Sequence, residues 1–202
     1  MGAITNRREF LQIGIAATAW PIASRTALGA TPTGTIPRVK LYKAVYDTRF
    51  PESIAFGKQI AAEGVATHPF SADITPFWFS ELDAQWRDTP VAVAGLTTHG
   101  PLFCLEQLGW QHGMRVVFRA EHRTGEDGLV EHTLTGPASM VRGTNGLSDA
   151  RNWAARMATI TARCPTGRSE LAKTTIRGQS PGPARADDDP LISWIIAPAA
   201  RT

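Results

Sequence analysis

The sequence predicts an α/β domain: an open, mostly parallel sheet covered by helices, ending in a hairpin, a helix and a last strand. Three observations lead there. Strand-like and helix-like segments alternate between residues 39 and 121. Two of the helical segments end in a glycine followed directly by a strand, in Ala62-Glu63-Gly64-Val65 and Gln111-His112-Gly113-Met114. The third strand, 91–94 (VAVA), is uniformly apolar, the pattern of a strand buried on both faces of a parallel sheet. Short right-handed crossovers then place these strands side by side.

Taken in order, 39–46 (VKLYKAVY) is β-branched and aromatic and reads as the first strand. Pro51 opens a helix over 51–63, since its fixed φ suits a first turn, and Gly64 caps it. A second strand covers 65–70. Asp73 or Thr75 caps a helix over 76–87, with Phe77, Phe79, Leu82 and Trp86 near helical spacing. After the third strand comes a turn, Gly95-Leu96-Thr97-Thr98-His99-Gly100, and a helix over 101–112 stopped by Gly113. The fourth strand spans 114–121. Segments 116–123 and 129–135 flank Asp127-Gly128, a hairpin signal. Residues 136–147 read as loop, and a helix starting at Ser148 or Asp149 runs to Ala162. Residues 166–190 are rich in Gly, Pro and charge and read as a loop whose Asp187-Asp188-Asp189 triplet is a solvated tip. Residues 191–197 (LISWIIA) read as the last buried strand. The arrangement expected is three-layered and flavodoxin/Rossmann-like, as a single domain over 38–202.

The chain has 202 residues, 43% of them hydrophobic, enough for a core. Its formal charge is +3, of which Arg7, Arg8 and Arg25 against Glu9 carry +2. The remainder is too nearly neutral, and too free of basic runs interleaved with aromatics, to suggest a nucleic-acid partner. Trp78, Trp86, Trp110, Trp153 and Trp194 are expected mostly in the core, with Trp78 the candidate for a ligand or partner contact.

The first 30 residues have the three parts of a targeting segment: Arg7-Arg8, a short apolar run over 13–19, and small residues ending near Ala30. The run is shorter than the roughly 20 residues that span a bilayer. Residues 5–11 (TNRREFL) resemble the twin-arginine export motif, matched by Arg7, Arg8, Phe10 and Leu11. That resemblance implies recognition by the twin-arginine export machinery, removal of the leader at a site for which Ala27 and Ala30 are both candidates, and a folded protein delivered to the periplasm. It also implies cargo that often carries a cofactor or travels with a partner. Residues 31–37 are a flexible lead-in, and no later segment is apolar enough for a stable membrane span.

Ligands of open α/β sheets gather beyond the carboxyl ends of the strands, where strand order reverses. This rule selects Asp47 and Arg49, Asp73, then Thr97, Thr98 and His99, and finally Glu121 and His122. With strand order 2-1-3-4, Asp47 and Arg49 would face Thr97, Thr98 and His99. The helix after the third strand would aim its free amides there, suiting a small anionic ligand with Arg49 as counter-charge. The 95–100 turn has neither a dinucleotide-binding glycine pattern, nor a P-loop lysine, nor a nucleophile elbow.

Cys104 would sit in the first turn of that helix, where the dipole lowers a thiol pKa and His99 is a possible base. Its neighbours Leu102, Phe103, Leu105 and Leu108 instead suggest a buried, inert thiol, and Cys164 reads the same way. A disulfide between the two requires a proximity that sequence does not supply. The five histidines form no close ligand pair, so zinc is not indicated, and no cofactor is evident. His122 and His132 would face each other across the hairpin as a surface pair. The expectation is therefore an exported periplasmic small-molecule-binding or accessory protein, a possible companion to a co-exported redox enzyme. The alternative is a small enzyme using Cys104 with His99, or Asp47 with His99, on an anionic substrate.

Overall fold

Strand β1 (Leu41–Asp47) lies between β2 (Thr67–Phe70) and β3 (Ala92–Thr97), parallel to both. The computed structural model describes residues 38–125, 127–144, 146–148, 152–167, 169–179 and 189–199. The export-signal residues Arg7, Arg8, Phe10 and Leu11 and the lead-in over 31–37 lie outside these, as do Asp187 and Asp188.

Four more strands complete one sheet: β4 (Met114–Thr124), β5 (Leu129–Pro137), β6 (Leu171–Gln179) and β7 (Leu191–Pro198). The order is β2-β1-β3-β7-β4-β5-β6, and every pairing beyond β3 is antiparallel. The sheet is therefore mixed rather than mostly parallel. The cause is β7, whose residues 191–197 are all buried and which takes a central place between β3 and β4. Because β3 and β4 both run against β7, they still point the same way, and their helical crossover spans one extra strand.

Helix α1 (Pro51–Ala62) begins at its proline and is closed by Gly64 in the left-handed region, φ 87°. Helices α2 (Thr75–Phe77) and α3 (Asp83–Asp88) are joined by a π turn, Trp78–Leu82. Trp78, Leu82 and Trp86, each four residues from the next, are all buried, while Phe79 is exposed. Helix α4 (His99–Trp110) ends before Gly113, φ 70°. Two elements complete the set, α5 (Ala138–Arg142) and α6 (Trp153–Thr161), the latter capped by Asn152, whose side chain accepts from the Ala155 amide.

Alternate residues of the central strands feed two separate apolar clusters. Ala44, Ala94, Leu96 and Phe118 join Phe56 and Ile60 of α1 and Trp153 and Met157 of α6. Val45, Val93, Trp194 and Ile196 join Phe77, Trp86, Leu102 and Leu105. Each of these large side chains contributes roughly 1.5–3 kcal/mol by leaving water.

Three segments differ from the sequence reading. Strand β3 continues through Gly95, Leu96 and Thr97, which were expected in a turn. Gly95 is needed for contact rather than for turning: a Cβ there would meet Trp194 Cζ2 at 2.6 Å. Residues 138–142 form α5 within an expected loop. Strand β6 lies inside the stretch expected as a loop over 166–190; it is a sheet edge, and the pleat turns every second residue from Leu171 to Gln179 to solvent.

Candidate functional site

The carboxyl ends of β1, β2, β3 and β4 and the amino end of β7 share one edge of the sheet. Strand order reverses there: β1 leads into α1, which packs with the first cluster, whereas the parallel β3 leads into α4, which packs with the second. The edge holds most of the predicted residues, but the pleat sorts them onto opposite faces.

On the α4 side, Asp47 is fully buried and Arg49 grips it, with Nε 3.0 and 3.1 Å from the two carboxylate oxygens and Nη2 2.6 Å from Oδ2. The Asp47 amide donates to Ser53 Oγ at 3.0 Å, and Ser53 Oγ donates to the Leu96 carbonyl. Ser53, absent from the sequence reading, thus ties the first turn of α1 to the end of β3 across the crevice position. Thr97 is buried, donates to the Thr98 carbonyl at 2.8 Å and accepts from Trp194 Nε1 at 3.0 Å. Thr98 is the N-cap residue of α4 but makes no side-chain cap bond. His99 is exposed and stacks on Phe103, with centroids 5.8 Å apart.

The remaining predicted residues are dispersed. Asp73 is exposed and accepts from the Thr75 amide at 2.8 Å. Hydrogen bonds from Thr75, its side chain first, hold the Asp73 carboxyl below its usual pKa, so it serves the start of α2. Glu121 is bracketed by Arg119 at 3.1 Å and Arg123 at 3.5 Å. Cys104 is exposed, contrary to the expected burial, while Cys164 is buried. The reason is helix phase: Leu102, Leu105 and Gly109 face the sheet, leaving Phe103 and Cys104 outside. His99 and Cys104, five positions apart in one helix, lie about 140° apart around its axis and do not share a face.

The other face carries a polar chain. His122 and His132 sit opposite each other in the β4–β5 register, Nδ1 to Nδ1 at 2.7 Å. His122 Nε2 lies 2.8 Å from Ser193 Oγ. The pair is buried, not superficial as expected, because α6 begins over it: the Trp153 ring is 4.2 Å from His122 and 5.3 Å from His132, between centroids. Burial, and then the neighbouring His132, hold the His122 pKa well below the ordinary histidine value. Burial lowers His132 to about 4. Both rings are neutral at pH 7. Between two neutral rings this contact requires one Nδ1 to donate and the other to accept, and among the described residues His132 Nε2 is buried without a hydrogen-bond partner. The facing of the two histidines followed from the hairpin. Ser193 and Trp153 gave no signal, since each looks like an ordinary member of an apolar segment.

Among the described residues, no group of three or more His, Cys, Asp or Glu is arranged to hold a metal ion, and no helix is long and apolar enough to cross a membrane. No protein-family model, curated protein or solved structure matches the chain.

Proposed function

We propose that this chain is an exported periplasmic accessory protein that docks a protein partner, a possible co-exported redox enzyme among them, through the outer face of α4. The observation that carries this is a stripe of large aromatic groups in solvent. Phe103 and Trp110 are each 49% exposed and, seven residues apart, lie on the same side of the helix, with His99 one turn before Phe103. Phe79 on the π turn is 74% exposed. Aromatic groups displayed on one element favour a protein contact over a solvated surface. The twin-arginine-like Arg7, Arg8, Phe10 and Leu11 support export by that route, and the two apolar clusters support a three-layer, flavodoxin/Rossmann-like arrangement of the parallel half.

The test is co-purification from periplasm of tagged wild type and of a Phe103→Ser, Trp110→Ser variant. A defined partner retained by wild type and lost by the variant supports the proposal; the same proteins with both, or none with either, refutes it.

A second reading rests on the contact between His122 and Ser193. Serine within reach of a histidine that a further group orients is the arrangement of nucleophilic acyl transfer. Against it, Ser193 is fully buried and Trp153 covers the histidine pair. A fluorophosphonate that labels Ser193 in the folded protein would favour this reading.

A further inference from the structure

We propose that the groove between α5 and α6 is a binding site for small organic anions whose charged head sits between Arg38 and Arg163 and whose apolar body lies on Met140, Ile160 and Pro165. The groove has a volume of about 420 Å³ and is lined by three guanidinium groups, those of Arg38, Arg156 and Arg163. That size lies in the range of ordinary ligand sites, about 300–1,000 Å³.

Its walls are built by regular structure. Arg156, Ile160 and Arg163 stand at intervals of four and three along one side of α6 and the turn that follows it, so a single helix face presents two charges around an apolar residue. Arg38 is brought alongside by a separate device. It forms an antiparallel bridge with Pro165, and the Val39 amide donates to the Cys164 carbonyl at 2.7 Å. Residues more than a hundred positions apart in sequence are thereby fixed on the same rim.

Charge and chemistry then select the ligand. Among the described residues no carboxylate lines the groove, and neither Arg38 nor Arg163 forms an ion pair. Glu63 approaches this wall through Thr159, whose hydroxyl donates to it at 2.9 Å. Guanidinium groups bind carboxylates and phosphates through paired, planar hydrogen bonds, with geometry that lysine does not match. A floor of Met140, Ile160 and Pro165 adds nothing for a bare inorganic ion but favours one carrying an apolar body. A helix C-terminus disfavours anions. The guanidinium of Arg163 and that of Arg38 stand at this end of α6 and reverse the local sign. The groove is distinct from α4 and from the strand-end residues.

The experiment is calorimetric titration of the folded chain with phenyl phosphate, with inorganic phosphate, benzyl alcohol and single-stranded DNA as comparisons. Phenyl phosphate is expected to bind at least ~10-fold more tightly than inorganic phosphate, a difference of about 1.4 kcal/mol. Benzyl alcohol is expected to give no binding. Arg38→Gln combined with Arg163→Gln should weaken phenyl phosphate by at least ~10-fold, whereas Arg123→Gln, on a different part of the surface, should leave it unchanged. Methyl resonances of Met140 and Ile160 should move on addition of phenyl phosphate to wild-type protein, which needs no variant to fold. The proposal is overturned by no binding at millimolar phenyl phosphate, by methyl resonances that stay still, or by equal binding to wild type and double variant. Equal affinity for phenyl and inorganic phosphate would reduce the groove to a site for an adventitious ion only. Tighter binding of DNA, lost in the double variant, would replace it with a polyanion surface.

Discussion

His132 lies directly across the β4–β5 ladder from His122, their Nδ1 atoms 2.7 Å apart beneath the ring of Trp153. A proton added to either ring would place a charge in the core beside its neighbour. The unfolded chain, with histidines near pKa 6.5, binds more protons than the folded one below that pH. Stability is therefore fully present above about pH 6.5 and falls as pH drops towards about 4, the folded value of His132. Over that window the loss is of the order of a few kcal/mol. Urea melts at successive pH values check this; stability that is flat between pH 7 and pH 4.5 would contradict it.

Ser193 satisfies His122 Nε2 at 2.8 Å with both groups buried. Ser193→Ala leaves that nitrogen unpartnered and should cost about 1–3 kcal/mol, seen as a lower melting temperature. An unchanged melting temperature would mean that the contact adds nothing.

Gly95 and Trp194 are opposite residues of β3 and β7. A methyl group at position 95 would sit 2.6 Å from the indole Cζ2 and 2.9 Å from Val45 Cγ2, both in the closed core. Gly95→Ala is expected to destabilise by roughly 1–3 kcal/mol and to change tryptophan fluorescence, because strand and ring must separate. Wild-type stability and emission would show that the sheet accommodates the methyl group freely.

These two residues also show how far the sequence could be read. Glycine followed by hydroxyls looked like a turn, since the contact that demands Gly95 comes from a strand nearly a hundred residues later. The punctuation of local structure was legible: Pro51, Gly64 and Gly113 mark helix ends because their backbone requirements are local. The place of β7 was not, since a uniformly apolar run announces burial on both faces but names no neighbour. β6 was missed because an edge strand needs only alternate residues partly covered, and Leu171–Gln179 resembles a polar loop. At the candidate site the strand-end rule found Asp47, Thr97 and His122, but Ser53, Ser193 and Trp153 reach the same edge from elements that carry no motif.

Cys104 is exposed and Cys164 is buried, with the Cys164 thiol pushed up to about 11 by burial. A neutral thiol reagent should label one cysteine in the folded protein, Cys104, and both after denaturation. Protection of Cys104, or rapid labelling of Cys164, would contradict the arrangement of α4 and α6.

Export and partner docking on α4, as proposed, are both tested most directly by native mass spectrometry of protein purified gently from periplasm. The expected spectrum shows a chain shortened by about the first 30 residues of the targeting pattern, in complex with one partner, and the complex is lost in Phe103→Ser, Trp110→Ser protein. An uncleaved chain found alone, in wild type as in the variant, would contradict it.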